Sequence, residues 1–486
     1  MTAPPASPSL LRSVVSNAAS LTGGRILLAL LRFVVALVIV QRAGLEMFGE
    51  FALVLSFVLV AEWLSDFGLG DIAVRQISAN QRRWDATMGA LAVSKAAQGV
   101  LASAAMWGAI ALLGYPEHMV RSGLIAGGAV ILYAGVQVYR VGFRANMQMG
   151  RDVGAEVISA VVFLAAIWLA TDANASLEVL TLCYVLSRAV NLVAAGLLAG
   201  GWPKISFGRD FRLELRVLVA SCVPLGLSGL LVSAYDAMDA IALSRWSTSG
   251  EVGVFTVAMR IMMLAVVAEQ ALATAVFPML ARQWTQDRES FVRTFQAVLD
   301  WGMVVGGALF CALYAGALGL GSLAKQDPHA IADVLQVLSW AILARVVVTL
   351  IGPMVVISGR LHYAVWIQAT IAAAKWLALM AMAPQGAMGA ATAYLIAEIG
   401  VALLPAVIFC QRAAGVWLNW SVPVKTLASA ATVAAATKLL GLEGSLLHGA
   451  LAMVAYLALA AATGAVRMQP LRQLYLSLGR RRGGHV

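Results

Sequence analysis

Eight basic and eight acidic side chains of this chain fall inside apolar runs, each run being about as long as a bilayer crossing. A charge at the bilayer centre costs about 2.5 to 3.5 kcal/mol even on the mildest scale, so these side chains must face one another, water or an interface. Arg25 and Arg32 are seven residues apart, which puts them on one stripe of a helix about 10 Å from each other. Two guanidiniums so placed suit an anion that moves along the helix, because each presents a fork matched to phosphate oxygens. The other reading has Arg25 reaching back to the membrane surface and Arg32 paired with Glu62.

Asp236 and Asp239 share a face in the outer half of the seventh run, and Arg260 reaches a comparable depth on the eighth. They read either as a ligand site or as an ion pair acting as an outer gate or a lobe-stabilising contact. Glu62 and Asp66 share a face of the second run, and Glu269 lies in the inner half of the eighth. These three either bind a coupling proton or sodium ion or neutralise Arg25, Arg32 and Lys95. Arg188 and Arg345 sit near the middle of their runs, as cavity cations, while Lys375 and Glu398 read as a buried pair. The expected substrate-binding cations are therefore Arg25, Arg32, Arg260, Arg188 and Arg345. The expected gate or ion-coupling acids are Glu62, Asp66, Asp236, Asp239 and Glu269.

Nothing in the sequence assembles a catalytic constellation. The five histidines are dispersed, with no paired metal-ligand spacing, and the four cysteines each stand alone in an apolar run. No phosphate loop or nucleotide-binding domain is present, which leaves an ion gradient, the membrane potential or a substrate's own gradient as the energy source. The expectation is a non-enzyme that needs no cofactor or metal.

The elements that position these charges follow from composition. Hydrophobic residues make up 61% of 486 positions, charged residues 12%, and the mean hydropathy is +0.86. That balance describes an integral membrane protein, and the long unbroken runs predict helices rather than barrel strands. About fourteen spans are expected by length. The organisation they predict is a cytoplasmic N-terminus over 1–17, an N-lobe of six spans over 18–200 and a basic cytoplasmic linker over 201–216. A C-lobe of six spans over 217–410 follows, then two more spans over 411–464 and a basic cytoplasmic tail over 465–486. The first two spans are expected over 18–40 and 47–68 and the seventh and eighth over 217–243 and 252–280. The first is read as retained, since it lacks a compact uncharged leader core.

Lys and Arg divide 22 to 4 between the two sides of this arrangement, which places both termini in the cytoplasm. The asymmetry accounts for most of the net charge of +10, so no nucleic-acid partner is called for. The Arg480–Arg482 run reads as a topological and lipid-headgroup contact. A weak internal repeat pairs Gly49-Glu50-Phe51 with Gly253-Val254-Phe255 at an offset of 204. Six crossings between the copies make them parallel repeats about an axis along the membrane normal.

The run RFVVALVIVQRAGLEMFGEFALVLSFVLVAEWLSDFGLGDIAVRQ is similar to the opening of Wzx-type polysaccharide flippases of the multidrug/oligosaccharidyl-lipid/polysaccharide (MOP) exporter superfamily. So are PLGLSGLL followed by YDAMDAIAL, GVFTVAMRI and FPMLAR, and the connection YRVGFRANMQMGRD. The resemblance covers residues 12 to 464. It implies an all-α V-shaped pair of six-helix bundles, a central cavity lined largely by spans one, two, seven and eight, and two peripheral helices. It also implies translocation of undecaprenyl-pyrophosphate-linked oligosaccharides from the cytoplasmic to the periplasmic leaflet of the bacterial inner membrane by alternating access. The implied partners are that lipid-linked substrate, membrane lipids and polysaccharide assembly proteins. Arg25, Arg32 and Arg260 fall on the implied cavity helices.

Three other functions compete. A cation-coupled exporter of small organic solutes (MATE-like) shares the architecture, but such a site wants a carboxylate on the first span, and 18–40 has none. Flipping of lipid II, the peptidoglycan precursor, is a close variant. A membrane-embedded polysaccharide polymerase or ligase would carry a sizeable periplasmic loop, and all the loops are short.

Overall fold

The computed structural model of the chain describes residues 8–79, 84–171, 176–200 and 211–466. The expected tail beyond 466, the linker residues 201–210, the first seven residues and the cations Arg82, Arg83, Lys204 and Arg209 lie outside the described residues, as does the Arg480–Arg482 run. Every backbone amide in a bilayer needs an internal partner, so the apolar runs fold as helices. Among the described residues the elements are helices throughout.

The first two expected spans form one element, α1 (Pro8–Asp66), bent where Gly44 leaves helical geometry at φ 99° and ψ 165°. Glycine alone reaches that conformation without a steric penalty, so QRAGLEMF is a bend inside a helix rather than a loop. A short helix that the sequence reading took for a cytoplasmic loop follows, α2 (Leu69–Ala79). Leu69, Ala73 and Ile77, four residues apart, are buried there while Arg75 stays exposed, the pattern of a helix lying with one face on the protein. Then come α3 (Trp84–Leu112), α4 (Glu117–Ala145), α5 (Met149–Thr171), α6 (Leu177–Ala199), α7 (Phe211–Trp246) and α8 (Ser249–Gln286).

The chain's contacts gather into two units. The first comprises Met1–Val257 with Lys375–Ala390, the second Ala258–Ala374 with Ala391–Val486. In the first, α1 packs against α3, α4, α5 and α7, and α4 packs against α3 and α6. The α2 residues join Met88, Leu91, Val138, Val141 and Leu218 in one buried cluster. The start of α8 meets α1 backbone to backbone. A Cβ added to Gly49 would overlap the Ser249 carbonyl oxygen, and one added to Gly253 would overlap that of Leu45.

The second unit is built on α9 (Arg288–Ala315), whose neighbours are α11 (Pro328–Ile357), α15 (Ser421–Leu439) and α16 (Leu446–Ala462). Along the chain between them run α10 (Ala317–Gly321), α12 (Leu361–Met382), α13 (Gly386–Leu395), a π-helical segment Ile396–Ala402 and α14 (Leu403–Ile408), with the end of α12 and the start of α13 belonging to the first unit. Phe291, Phe295, Phe310 and Tyr456 fill its core. Asp287 caps α9 by accepting from the Ser290 amide, and Asp327 caps α11 ahead of Pro328.

Nine described helices are long and apolar enough to cross a membrane. Two of them, at 57 and 48 residues, are longer than one crossing of about 20 residues requires.

Candidate functional site

On α1, Gly24, Leu28 and Val35 turn inward, which leaves Arg25 and Arg32 exposed on another face among exposed Ile26, Leu27, Leu30 and Val34. Arg32 Nη2 donates to Glu156 Oε1 on α5 at 3.0 Å, and its side chain is still 57% exposed. The other oxygen of Glu156 accepts from Arg140 Nη2 at 3.4 Å, and Arg140 Nε donates to Asp152 Oδ1 at 2.9 Å. Two arginines and two carboxylates thus balance, with Arg25 in addition on the same stripe of α1.

The expected pairing of Arg32 with Glu62 does not form. Glu62 lies on the far limb of α1, beyond the bend at Gly44, where its face turns to α6. There Arg188 Nη2 donates to Glu62 Oε1 at 2.6 Å, and the Tyr184 hydroxyl donates to the same oxygen at 3.2 Å. The guanidinium also lies 5.0 Å from each of the Tyr133 and Tyr184 rings, a cation–π setting that holds it without a second acid. One turn on, Asp66 pairs with Lys95, which is buried and also donates to the carbonyls of Ser65 and Asp66 at 3.3 Å. Asp66 thereby neutralises a buried lysine.

A second correction concerns Lys375. It was expected beside Glu398, but it donates to Asp239 Oδ2 at 2.6 Å and to the Tyr235 carbonyl at 2.8 Å, with the Tyr235 ring 3.8 Å away. The reason is topological: residues 375–390 pack into the first unit, whereas Glu398 belongs to the second. The helical spacing of Asp236 and Asp239 does not make them equivalent, since Asp239 is buried and Asp236 is exposed. The outer-gate reading, which set Asp236 and Asp239 against Arg260, thus meets an Asp239 that already holds a buried lysine. Arg260 is half-buried on α8.

In the second unit, Arg345 Nη1 donates to the Tyr394 hydroxyl at 2.6 Å and to Glu398 Oε1 at 3.0 Å. Glu398 sits in the π-helical segment, an interruption that recurs at functional positions in helices. Glu269 is buried on α8. Sequence reasoning missed Arg140, Tyr133, Tyr184 and Tyr394. The usable signal was the spacing of Tyr184 to Arg188 and of Tyr394 to Glu398, one helical turn in each case.

Most of the internal charges described above are therefore matched, while Arg25 and Arg32 stay exposed on α1. Among the described residues no three His, Cys, Asp or Glu side chains gather as a metal site.

These features define a multi-pass helical membrane protein with charged groups held inside two helical units. The family model described as "Polysaccharide biosynthesis protein" matches residues 14–284, more than half of the chain, and the protein belongs to that family. A second model, MatE, matches residues 224–370. A comparison with curated proteins finds no match.

Among solved structures the chain is similar to "Lipid II flippase MurJ, inward closed conformation", with a TM-score of 0.76 at 10% identity over 94% of this chain and 99% of that one. It is similar to an inward-facing MATE family transporter of the MOP superfamily, with a TM-score of 0.64 at 14% identity over 80% and 95% of the two chains. A MOP superfamily transporter from Pyrococcus furiosus gives 0.59 at 16% identity over 83% and 96%. At these identities the likeness shows that the chain shares the fold of these structures.

Proposed function

We propose that the protein is a flippase for undecaprenyl-pyrophosphate-linked oligosaccharide units in surface polysaccharide synthesis, moving them from the cytoplasmic to the periplasmic leaflet by alternating access. The observation that carries this reading is the exposed pair Arg25 and Arg32 on an otherwise apolar face of α1. Guanidiniums left against lipid would oppose insertion, so the stripe is best explained by a hydrated path for an anion. Arg32 can also exchange partners at little cost, because Glu156 keeps Arg140 when Arg32 leaves it for a phosphate. The family supports polysaccharide synthesis as the setting. In this reading the protein is in the bacterial inner membrane with both termini cytoplasmic, as the Lys/Arg asymmetry argues. Its basic cytoplasmic segments would meet lipid headgroups and polysaccharide assembly proteins.

The likeness to a structure titled as a lipid II flippase favours a second reading with the same chemistry, since both substrates would be anchored through a pyrophosphate. Complementation separates the two. In a strain lacking the protein, wild type restores surface polymer and Arg32→Glu, inserted at the same level, does not. Normal polymer from the variant sinks the pyrophosphate role of Arg32, and rescue of a lipid II flipping defect instead favours the second reading.

A further inference from the structure

We propose that Glu156 is a built-in competitor for the substrate's diphosphate, a carboxylate tethered beside Arg32 that occupies its guanidinium when the anion is absent, and that Arg140 and Asp152 set how firmly it does so. The proposal rests on the assignment of Arg32 to the diphosphate, and it adds a positioning role for three residues that bind no substrate themselves.

The register of α1 on α5 puts the competitor in place. Three contacts ascend together along the two helices. A Cβ on Gly24 would overlap a Val153 methyl, Arg32 meets Glu156, and Arg42 donates to the Trp168 carbonyl at 3.1 Å. The helices therefore run parallel here, and in this register Arg32 stands roughly a turn beyond Glu156. Its side chain reaches back toward the Arg25 end of the helix, the direction in which helical side chains lean. Held by Glu156, the guanidinium lies on the Arg25 side of its own Cα, where a diphosphate spanning both arginines would need it.

Burial decides which partner of the bridge is mobile. The Glu156 side chain is 24% exposed against 57% for Arg32. Asp152 and Glu156 are four residues apart on α5, so they share a face, and both accept from Arg140. That guanidinium is itself half-buried, with the Tyr133 ring 6.0 Å away. Glu156 is therefore the fixed anion and Arg32 the arm that comes and goes. Arg140 stands closer to Asp152, at 2.9 Å, than to Glu156, at 3.4 Å. Asp152 thus draws it off and leaves Glu156 more dependent on Arg32. A tethered partner that occupies the binding-competent form lowers apparent affinity by the fraction it withholds. The same competitor assists release, since Glu156 retakes Arg32 as the phosphate leaves.

The test is titration calorimetry of the full chain in phosphatidylcholine nanodiscs with farnesyl pyrophosphate, against empty discs. Glu156→Gln should bind the probe about two- to sixfold more tightly than wild type, the size set by loss of one largely exposed bridge. Asp152→Asn should also gain, by less, and Arg140→Gln should bind more weakly. The decisive reading is the double-mutant cycle: in a Glu156→Gln background the Asp152 and Arg140 changes should lose most of their effect. A purely structural role or a general field of charge would leave those effects additive, and additivity overturns the proposal. Each variant is first matched to wild type in elution profile and thermal melt, and Asp152→Asn carries the cycle if Arg140→Gln does not fold. Wild-type affinity in Glu156→Gln, where Arg32→Glu abolishes binding, overturns the proposal and spares the reading of Arg32. No binding by wild type, or unchanged binding in Arg32→Glu, removes that reading and this proposal together. A gain that vanishes when phosphatidylglycerol is added to the discs means that ordinary headgroups are what Glu156 competes with, and the proposal falls as stated.

Discussion

A Cβ on Gly49 of α1 would stand 2.8 Å from the backbone nitrogen of Gly253 on α8. The two glycines that mark the paired G-x-F starts are thus parts of one contact, a point where two helix backbones touch. Replacing Gly49 with Leu should destabilise the protein by about 1 to 3 kcal/mol through overpacking. Gly108 on α3, with nothing within 4 Å of an added Cβ, is the control: Gly108→Ala should leave stability unchanged or raise it by roughly 0.5–1 kcal/mol. Thermal melts in detergent compare the two.

Removal of Arg188 leaves Glu62 buried and without its cation. Arg188→Met should cost about 3–5 kcal/mol, whereas Glu62→Leu combined with Arg188→Met should recover most of it, because a buried pair replaced as a whole by apolar groups is often close to neutral. A double-mutant cycle on melting temperature checks this. Additive effects would mean that the pair is not coupled.

Arg32 should behave in the opposite way. Its bridge to Glu156 is largely exposed, so Arg32→Ala should change stability by less than about 1 kcal/mol. Polymer export should nonetheless fall sharply, and Arg32→Lys should restore only part of it, since a lysine cannot grip phosphate with a fork. Export and melting temperature measured on the same variants separate binding from folding.

Asp287, at the start of α9, accepts from the Ser290 amide at 3.0 Å and from its hydroxyl at 2.5 Å. These bonds hold its carboxyl below the usual aspartate range. An acid lowered on folding contributes stability above its unfolded pKa and loses it as pH falls through the folded value. The difference in melting temperature between wild type and Asp287→Ala should therefore be present at neutral pH and shrink on acidification.

Much of this protein was legible in its residues. The helical class follows from apolar runs that a bilayer would not tolerate in any other form. The isolation of Arg25, Arg32, Glu62, Asp66, Asp239, Glu269, Arg345 and Glu398 as the side chains that need explaining follows from their position in those runs. The pairings were harder to reach. Arg32 found Glu156, Glu62 found Arg188, and Lys375 found Asp239, none of which spacing along the chain could select.

The sequence by itself determined that these charges would lie within apolar helices, because placement among apolar residues is a property of each local run. Only the tertiary structure decided which charge meets which. A bend at Gly44 rotates the second limb of α1, and the end of α12 joins the first unit rather than the second. Ion pairs need atoms within a few ångströms, and that depends on how helices far apart in sequence pack, which periodicity within one helix does not encode.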